Sequence, residues 1–393
     1  MTQQPPRLKQ MIEELIAIPS VSSVNPALDQ GNRAVVDRLA EWLDALGFAT
    51  EIQPVPGTDD KANLIATLGR GEGGLVLAGH TDTVPFDDTG WSSDPFVLSE
   101  RDGRLYGLGT SDMKSFLALV VEAVREFRAS DLKAPLVVLA TADEESGMGG
   151  AKALVEAERR LGRHAVIGEP TNLQPVHVHK GVMMEAIRVR GRSGHSSDPS
   201  FGNSALEGMH RVLSDLLAWR QQLQSRNVDK RFDVPVPTMN LGYIHGGDNP
   251  NRICAHCELH IDIRPLPGMS LDDLRGVLAQ RLPRVLGETG LELSMESLFP
   301  GLPAMETPRE AAIVRAAEAL TGSEARAVPF GTEGPYLRDL GMDVVIMGPG
   351  DIAQAHQPDE FLAVDRLEPT VDLLKRLVRQ FCVDNGGAAS HGA

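Results

Sequence analysis

The sequence has few cysteines and few basic residues, and each shortage excludes a class of protein. Cys254, Cys257 and Cys382 are too few, and odd in number, for a disulfide framework in a chain of 393 residues. This cysteine usage fits a reducing cytoplasm. The 38 Lys and Arg residues face 54 Asp and Glu residues, giving a formal net charge of −16. That sign excludes the usual electrostatics of a nucleic-acid-binding or membrane-surface protein.

Long apolar runs are also missing. No run approaches the roughly 20 residues that span a bilayer, and the amino terminus lacks the basic stretch and apolar core of a signal peptide. We therefore expect a soluble, cytoplasmic protein with no membrane or nucleic-acid partner. Its length exceeds what one hydrophobic core usually serves, which favours two domains.

Strands and helices alternate in the first part of the chain. Short apolar or β-branched runs bounded by turn residues predict strands at 64–68, 74–78, 136–142 and 166–168. Apolar residues at helical spacing predict helices at 8–16, 32–46 and 113–128. This alternation is typical of an α/β layer with a buried, largely parallel sheet.

The pattern changes in the middle of the chain. Longer alternating strands, in MMEAIRVRGRSGH, TMNLGYI and RICAHCELHIDIRPL, surround a helix at 204–221, as in a small α+β domain. The earlier alternation of helices with short apolar strands then returns, with helices near 309–320 and 364–381 and a strand at 343–347. We therefore expect a metal-binding catalytic domain formed by 1–181 and 294–393, interrupted by an inserted domain at 182–293.

Acidic side chains and a histidine follow successive strands and turns of the predicted α/β layer. His80 follows the run LVLAG, Asp112 the turn GLGTSDMK, Glu144 and Glu145 the run PLVVLATA, and Glu169 the run AVIG. Open α/β sheets place their ligand crevices at such strand ends. One acid there is usually a helix cap or a solvated loop residue, and Asp112 could cap the next helix. Four positions together favour a metal site.

One imidazole with several carboxylates suits zinc or a similar divalent ion. A pair of ions about 3.5–4 Å apart needs a carboxylate that bridges them. Adjacent Glu144 and Glu145 allow one residue to bind metal while the other takes a proton from water. A metal-bound His80 would donate its second nitrogen to a carboxylate, for which Asp82 is near enough along the chain. The pattern indicates metal-assisted hydrolysis.

Six motifs give the sequence a resemblance to a known family over nearly its whole length. They are GHTDTVP at 79–85, YGLGTSDMK at 106–114, TADEESGMGG at 141–150, GEPT at 168–171, GRSGHSSDP at 191–199 and AQAHQPDEF at 353–361. The chain resembles the di-zinc aminoacylase, carboxypeptidase and desuccinylase family. The resemblance implies a zinc-exopeptidase-like fold: a mixed, largely parallel sheet flanked by helices, with an inserted α+β dimerisation or lid domain. It also implies two divalent metal ions, zinc above all, for which cobalt can substitute.

The resemblance implies a role for each residue that matches the family motifs. His80 and Glu169 would bind one ion, Glu145 and His356 the other, and Asp112 would bridge them. Glu144 would be the general base, with Asp82 as a further catalytic residue beside His80. Local spacing alone leaves His356 an ordinary loop histidine, so its assignment comes from the resemblance.

Five more residues match family positions outside the metal ligands. His195 would reach the active site of a partner subunit in a homodimer and stabilise an oxyanion; alternatively, it is a turn histidine bonded to its own loop. Arg264, with Asn251, would hold a substrate carboxylate through two parallel hydrogen bonds; alternatively, Arg264 is a surface residue. Gly331 and Thr332 match a loop that contacts substrate.

The segments GLGTSDMKSF, FGTEGPYL and GPGDIAQAHQPDEF are most similar to one branch of the family. That branch hydrolyses N-acetylornithine to ornithine and acetate in arginine biosynthesis, so the resemblance implies this small N-acyl amino acid as substrate. Neighbouring alternatives are acetylcitrulline, succinyl-diaminopimelate and dipeptides. A non-catalytic metal-binding scaffold is a further alternative, against which the intact Glu144–Glu145 pair argues.

Overall fold

The computed structural model describes residues 4–87 and 89–384 of the chain. The chain divides into two compact units. The first unit consists of Met1–His177, Thr307–Arg326 and Thr332–Ala393, and the second unit of Val178–Glu306 and Ala327–Gly331. The boundary expected at 293/294 falls inside a strand at Glu292–Ser297, which pairs with Met183–Arg190. Because that pairing belongs to the second unit, the chain leaves this unit only after Glu306.

The α-helices of the described residues have the following bounds. They are α1 (Leu8–Ile16), α2 (Arg33–Ala45), α3 (Lys114–Val124), α4 (Gly149–Glu156), α5 (Ala205–Arg226), α6 (Leu271–Leu286), α7 (Ala312–Thr321), α8 (Gly334–Asp339) and α9 (Leu367–Val378). Within 4–87 and 89–384, none of these helices is both long and apolar enough to cross a membrane.

The β-strands alternate with these helices. They are β1 (Ala49–Pro54), β2 (Ala62–Leu68), β3 (Leu75–His80), β4 (Ser99–Arg101), β5 (Arg104–Tyr106), β6 (Leu136–Thr141), β7 (His164–Pro170), β8 (Val176–His179), β9 (Met183–Arg190), β10 (Thr238–Gly246), β11 (His256–Arg264), β12 (Glu292–Ser297), β13 (Met305–Glu306), β14 (Arg326–Val328), β15 (Asp343–Gly348) and β16 (Phe361–Ala363).

The main sheet of the first unit is mixed, with a parallel centre. Its strand order is β1-β2-β6-β3-β7-β15-β8. Strands β6, β3, β7 and β15 run parallel, whereas β1, β2 and β8 join antiparallel at the two sides. A smaller antiparallel sheet has the order β16-β5-β4. The α/β fold class expected from the sequence, with its largely parallel sheet flanked by helices, is confirmed.

The core of the first unit follows from its apolar runs. Every residue of β3 (LVLAGH) and β6 (LVVLAT) is buried, as expected for parallel strands covered on both faces. Helix α3 packs against β3 and between α1 and α9, and nearly all of its side chains are buried. Because α3 begins two residues after Asp112, this packing fixes where Asp112 lies relative to the ends of β3 and β7.

Two glycines let α3 approach the sheet directly beside two candidate ligands. A Cβ atom on Gly168 would lie 2.1 Å from the ring of Phe116, and one on Gly79 would lie 2.7 Å from Met113 Cε. Any side chain at Gly168 would therefore displace the aromatic ring. Gly79 precedes His80 and Gly168 precedes Glu169, so close helix packing is built into the motifs that deliver both ligands.

The second unit is an antiparallel sheet with two helices packed against it. The strand order is β10-β11-β9-β12, and α5 and α6 contact each other and the sheet. Along β11 the burial alternates, with Cys257, Leu259, Ile261 and Ile263 facing the core. The helix predicted at 204–221 is α5, and α6 is an additional helix that the sequence patterns did not predict.

Candidate metal centre

His80 is buried at the carboxyl end of β3, with both ring nitrogens facing oxygen atoms. Its Nδ1 lies 3.0 Å from the backbone carbonyl oxygen of Asp82, and its Nε2 lies 3.1 Å from Asp112 Oδ1. Because a carbonyl only accepts, Nδ1 donates its proton to Asp82, which leaves Nε2, on the Asp112 side, as the nitrogen that would bind a metal ion. The Asp82 carboxylate is farther from Nδ1, at 3.7 Å. The second nitrogen of His80 therefore bonds to backbone, whereas the sequence suggested the Asp82 side chain.

The Asp112 carboxylate lies between two histidines. Its Oδ1 faces His80, and its Oδ2 lies 3.8 Å from Nε2 of His356. His356 Nε2 is also 3.1 Å from Glu145 Oε2. A carboxylate whose two oxygens face different imidazoles has the orientation that a bridging ligand needs. The structure thus brings His356 beside Glu145 although 211 positions separate them in the sequence.

The two adjacent glutamates after β6 join different groups of ligand atoms. Glu144 lies with His80 and Glu169, and Glu145 lies with His80 and Asp112; within each group the donor atoms are within 4.8 Å of one another. Asp143, directly before them, adopts a left-handed backbone with φ 60°. The Asp82 carboxylate accepts the backbone N–H of Glu145 at 3.1 Å, which holds this turn against the end of β3.

The donor set fits divalent cations. Glu169 Oε1 and Asp82 Oδ1 are buried, and neither has a hydrogen-bond partner among the described residues. Burial and the charges of neighbouring carboxylates raise the pKa of Glu144 and of Glu169 well above the usual range. Buried acids that repel one another in this way need compensating positive charge. Imidazole nitrogen and carboxylate oxygen are ligands that zinc and similar ions accept.

Comparison with protein families identifies the chain. Residues 76–380 match the model of the family described as peptidase family M20/M25/M40. The chain belongs to this family. Membership confirms the resemblance stated for the sequence motifs, and the M20 protein is accordingly a metal-dependent amidohydrolase.

Relatives and solved structures agree with this assignment. Acetylornithine deacetylase of Edwardsiella ictaluri is 49% identical over 382 residues, which cover 97% of this chain and 100% of that protein. An M20 metallo-carboxypeptidase from Sulfolobus solfataricus has a TM-score of 0.75 at 17% identity, covering 95% of this chain and 99% of that one. A dinuclear metal-binding M20 peptidase from Bacillus subtilis has a TM-score of 0.64 at 17% identity, covering 95% and 96%. At these low identities, the two structures show the shared fold.

The remaining candidate residues of the M20 protein divide between its two units. His195, Asn251, Arg264 and Gly331 belong to the second unit, whereas Thr332 belongs to the first. Thr332 is buried, and its Oγ1 accepts the backbone N–H of Gly334 at 3.1 Å. Thr332 therefore caps the turn that leads into α8.

His195 is exposed and has a defined tautomer. Its Nδ1 lies 2.7 Å from Ser197 Oγ and accepts the Ser197 backbone N–H at 3.2 Å. Since Nδ1 accepts, the proton of the neutral ring is on Nε2. The carbonyl of Asn251 accepts the N–H of Ser196 at 3.0 Å, which joins the two loops. Arg264 is half-buried at the end of β11, and its Nε donates to Asp262 Oδ2 at 3.0 Å.

Three buried residues near the metal centre were missed by sequence reasoning. Lys61 contacts Asp143, and Glu360 contacts the loop that carries Asp112. Lys114 Nζ donates to the carbonyl of Ile18 at 2.6 Å, and burial lowers its pKa to about 7. A charged residue within a strongly apolar run is a signal for a buried polar contact, and Lys114 at the start of an apolar helix shows that signal.

Proposed function

We propose that the M20 protein hydrolyses N-acetylornithine to ornithine and acetate. The observation that carries this proposal is 49% identity, over essentially the full length of both chains, to relatives named acetylornithine deacetylase. The convergence of His80, Asp112, Glu145, Glu169 and His356 supports it, because amide hydrolysis of this kind needs a metal centre. Acetylcitrulline, succinyl-diaminopimelate and dipeptides are the competing substrates.

The proposed metal centre would hold two divalent ions. His80 and Glu169 would bind one ion, Glu145 and His356 would bind the other, and Asp112 would bind both. The orientation of Asp112 toward both histidines supports this division. Zinc suits the mixture of imidazole and carboxylate ligands, and cobalt accepts the same donors. When bound, the ions supply Lewis-acid polarisation of the substrate carbonyl and make water more acidic.

Glu144 is the proposed general base. Water adds to the acetyl carbonyl carbon while Glu144 removes its proton, and Glu144 then returns a proton to the amine nitrogen as the C–N bond breaks. The products are acetate and ornithine. The position of Glu144 supports this role, because its carboxylate lies with His80 and Glu169 in a group whose donor atoms are within 4.8 Å of one another.

Four residues of the second unit, together with Thr332 of the first, complete the proposed active site. In a homodimer, the partner subunit's His195 donates its Nε2–H to the oxyanion, and the tautomer fixed by Ser197 supports that role. Arg264 and Asn251 hold the substrate carboxylate, with Gly331 and Thr332 lining the substrate loop. The edge strand β10, with Tyr243 and Ile244 half-exposed, offers a surface for pairing the two chains.

The proposed location is the cytoplasm. All three cysteines are unpaired and buried, which suits a reducing compartment.

A substrate panel tests the proposed function. Zinc- or cobalt-loaded protein is assayed for amine release from acetylornithine, acetylcitrulline, acetylmethionine and succinyl-diaminopimelate, with Glu144→Gln protein from the same preparation as the blank. We expect the highest kcat/KM for acetylornithine. A preference for the succinyl compound would overturn the substrate while leaving the metal chemistry in place.

A further inference from the structure

Glu360 connects the two loops that carry Asp112 and His356. Its Oε1 accepts the backbone N–H groups of Ser111 at 2.7 Å and of Asp112 at 2.9 Å. Its Oε2 accepts the N–H of Gly109 at 2.9 Å. One buried carboxylate therefore bonds three amides within four residues, ending at the proposed bridging ligand.

Glu360 also belongs to the loop that carries the last proposed ligand. It follows His356 by four residues and precedes β16, which pairs with β5 through Leu362 and Leu105. The Glu360 carbonyl accepts the N–H of Gly107 at 3.1 Å. The backbone of Glu360 thus holds the start of the segment between β5 and α3, and its side chain holds the part that ends at Asp112.

We propose that Glu360 is a positioning residue for the metal centre. Its carboxylate fixes the backbone from Gly109 to Asp112, so that the Asp112 side chain faces His80 on one side and His356 on the other. Among the described residues, the groups of ligand atoms do not include Glu360, so it acts through Asp112. The inference rests on the proposed ligand assignment and adds a residue that controls metal affinity.

The chemistry of the contact requires a carboxylate. All three partners are N–H donors, so each Glu360 oxygen must accept. A glutamine has nearly the same shape, but its NH₂ group only donates hydrogen bonds. It would therefore face at least one backbone N–H group without forming a hydrogen bond to it. Glu360→Gln therefore disturbs the loop with little change of volume. Glu368→Gln, at an exposed position on α9, is the matched control for the same chemical change.

The first test measures metal affinity. Metal-free wild-type, Glu360→Gln and Glu368→Gln proteins are titrated with Co²⁺, and binding is followed by competition with a chromogenic chelator and by the visible spectrum of bound cobalt. We expect Glu360→Gln to bind about 10–100-fold more weakly, with an altered cobalt spectrum and, at saturating metal, a lower kcat with little change in KM. The control should match wild type. Wild-type affinity and spectrum in Glu360→Gln would overturn the proposal.

Two further variants separate positioning from general loosening. Ser111→Ala removes the side-chain contact to Asp351 but leaves the backbone N–H of Ser111 bonded to Glu360. We expect it to keep wild-type cobalt affinity, and an equal loss in both variants would contradict a specific role for Glu360. Glu360→Asp keeps the carboxylate on a shorter side chain, and we expect it to recover part of the affinity.

A measurement on the unaltered protein covers the case in which Glu360→Gln does not fold. Hydrogen exchange of the metal-free wild type should show strong protection of the amides of Gly109, Ser111 and Asp112. Exchange as fast as in exposed loops would contradict the positioning role. Failure of the proposed substrate has a different signature: every variant would lack acetylornithine turnover while the difference in cobalt affinity persisted. A wild-type protein that bound no divalent ion would overturn both proposals.

Discussion

Lys61 Nζ lies 2.6 Å from Asp143 Oδ1 and 2.7 Å from Asp29 Oδ1, so one buried ammonium group joins two carboxylates. Ser22 Oγ donates to the same Asp143 oxygen at 2.9 Å. Asp143 directly precedes the proposed base, Glu144, and has a left-handed backbone. The ion pair therefore anchors the turn that aims Glu144.

Replacing the lysine tests this anchor. Lys61→Met leaves the Asp143 carboxylate buried without its cation, so we expect the free energy of unfolding to fall by about 3–5 kcal/mol and kcat to fall with it. Urea unfolding and steady-state kinetics measure the two effects. Lys9→Met removes an exposed pair with Glu100, with side chains 59% and 42% accessible, and should change stability by about 0–1 kcal/mol. Equal effects of both substitutions would contradict the anchoring role.

The pH dependence of this ion pair has a definite sign. Burial by itself lowers the pKa of Lys61, but the hydrogen bonds and charges of Asp143 and Asp29 outweigh it and raise the pKa overall. A lysine whose pKa is raised on folding contributes its full stabilisation at pH values below its pKa in the unfolded chain. This contribution is lost as the pH rises through the pKa of the lysine in the folded protein. The Lys61 contribution is therefore fully present at neutral pH.

Replacing each of the two adjacent glutamates by glutamine, one at a time, separates their proposed roles. Glu144→Gln should lower turnover by about 10²–10⁴-fold or more, because a positioned general base is lost, while both metal ions stay bound. Glu145→Gln should lose metal, since Glu145 contacts His356. Metal analysis of the two purified variants decides between the roles. Loss of metal from Glu144→Gln alone would reverse them.

Truncating Arg264 tests the proposed carboxylate contact. Arg264→Ala should lower kcat/KM by about 10–100-fold for acetylornithine and for succinyl-diaminopimelate, because a hydrogen bond to a charged group contributes about 1.5–3 kcal/mol and both substrates carry an α-carboxylate. Steady-state assays with both substrates measure it. Arg211→Ala, at an exposed position on α5, is the control. Unchanged kcat/KM in Arg264→Ala would show that another group holds the carboxylate.

Mixed dimers test whether His195 acts in trans. His195→Ala should lower kcat by about 10²–10³-fold, since it removes a donor to the oxyanion, and Glu144→Ala should be inactive. In a mixed dimer, the subunit with an intact metal centre would receive His195 of the partner subunit, and one site would recover. Co-expressed variants with proven heterodimers that stay at the background of the separate mutants would exclude action in trans.

Because His164 is buried, we predict that the folded protein loses stability in mild acid. Its ring packs against Phe381 with centroids 4.5 Å apart, and burial lowers its pKa to about 4, with Arg163 acting in the same direction and Asp343 against it. The unfolded chain, with a histidine pKa near ~6.5, binds the proton first as pH falls. Stability should therefore decrease between pH ~6.5 and ~4, by up to ~1.4 kcal/mol per pH unit.

The matching measurement compares His164→Leu with wild type. Both metal-free proteins are unfolded in urea at pH 7, 6 and 5, and the difference between the two curves isolates one residue. We expect the variant to lose less stability on acidification. Parallel curves would show that His164 is not the residue responsible.

Much of the first unit could be predicted from local sequence patterns. The apolar runs at 136–142 and 166–168 correspond to β6 and β7. Glu144 and Glu145 lie at the carboxyl end of β6, and Glu169 lies at that of β7, as predicted. Helix α6 was missed because Gly276 and Pro283 interrupt its helix-forming sequence. Leu274, Leu278, Leu282 and Leu286, at a spacing of four, were the signal that could have revealed it.

The long-range part of the site could not be predicted in this way. His356 lies in an irregular loop with no periodic pattern, and only resemblance to a family connected it with Glu145. Glu360 contacts residues about 250 positions away, as its bonds to Gly109 and Asp112 show. Lys61 likewise reaches Asp143 across 82 positions. Local periodicity carries no information about such partners, since it reports only which face of an element is buried.

The proposed ligands come from five separate strand ends and loops, from residue 80 to residue 356. An unfolded chain would not hold these ligands together, so the complete proposed site forms only when the first unit folds. Metal supply then acts on folding itself: free metal at 100 times its dissociation constant would stabilise the native state by about 2.7 kcal/mol. Cells short of metal would hold less folded protein as well as less active enzyme.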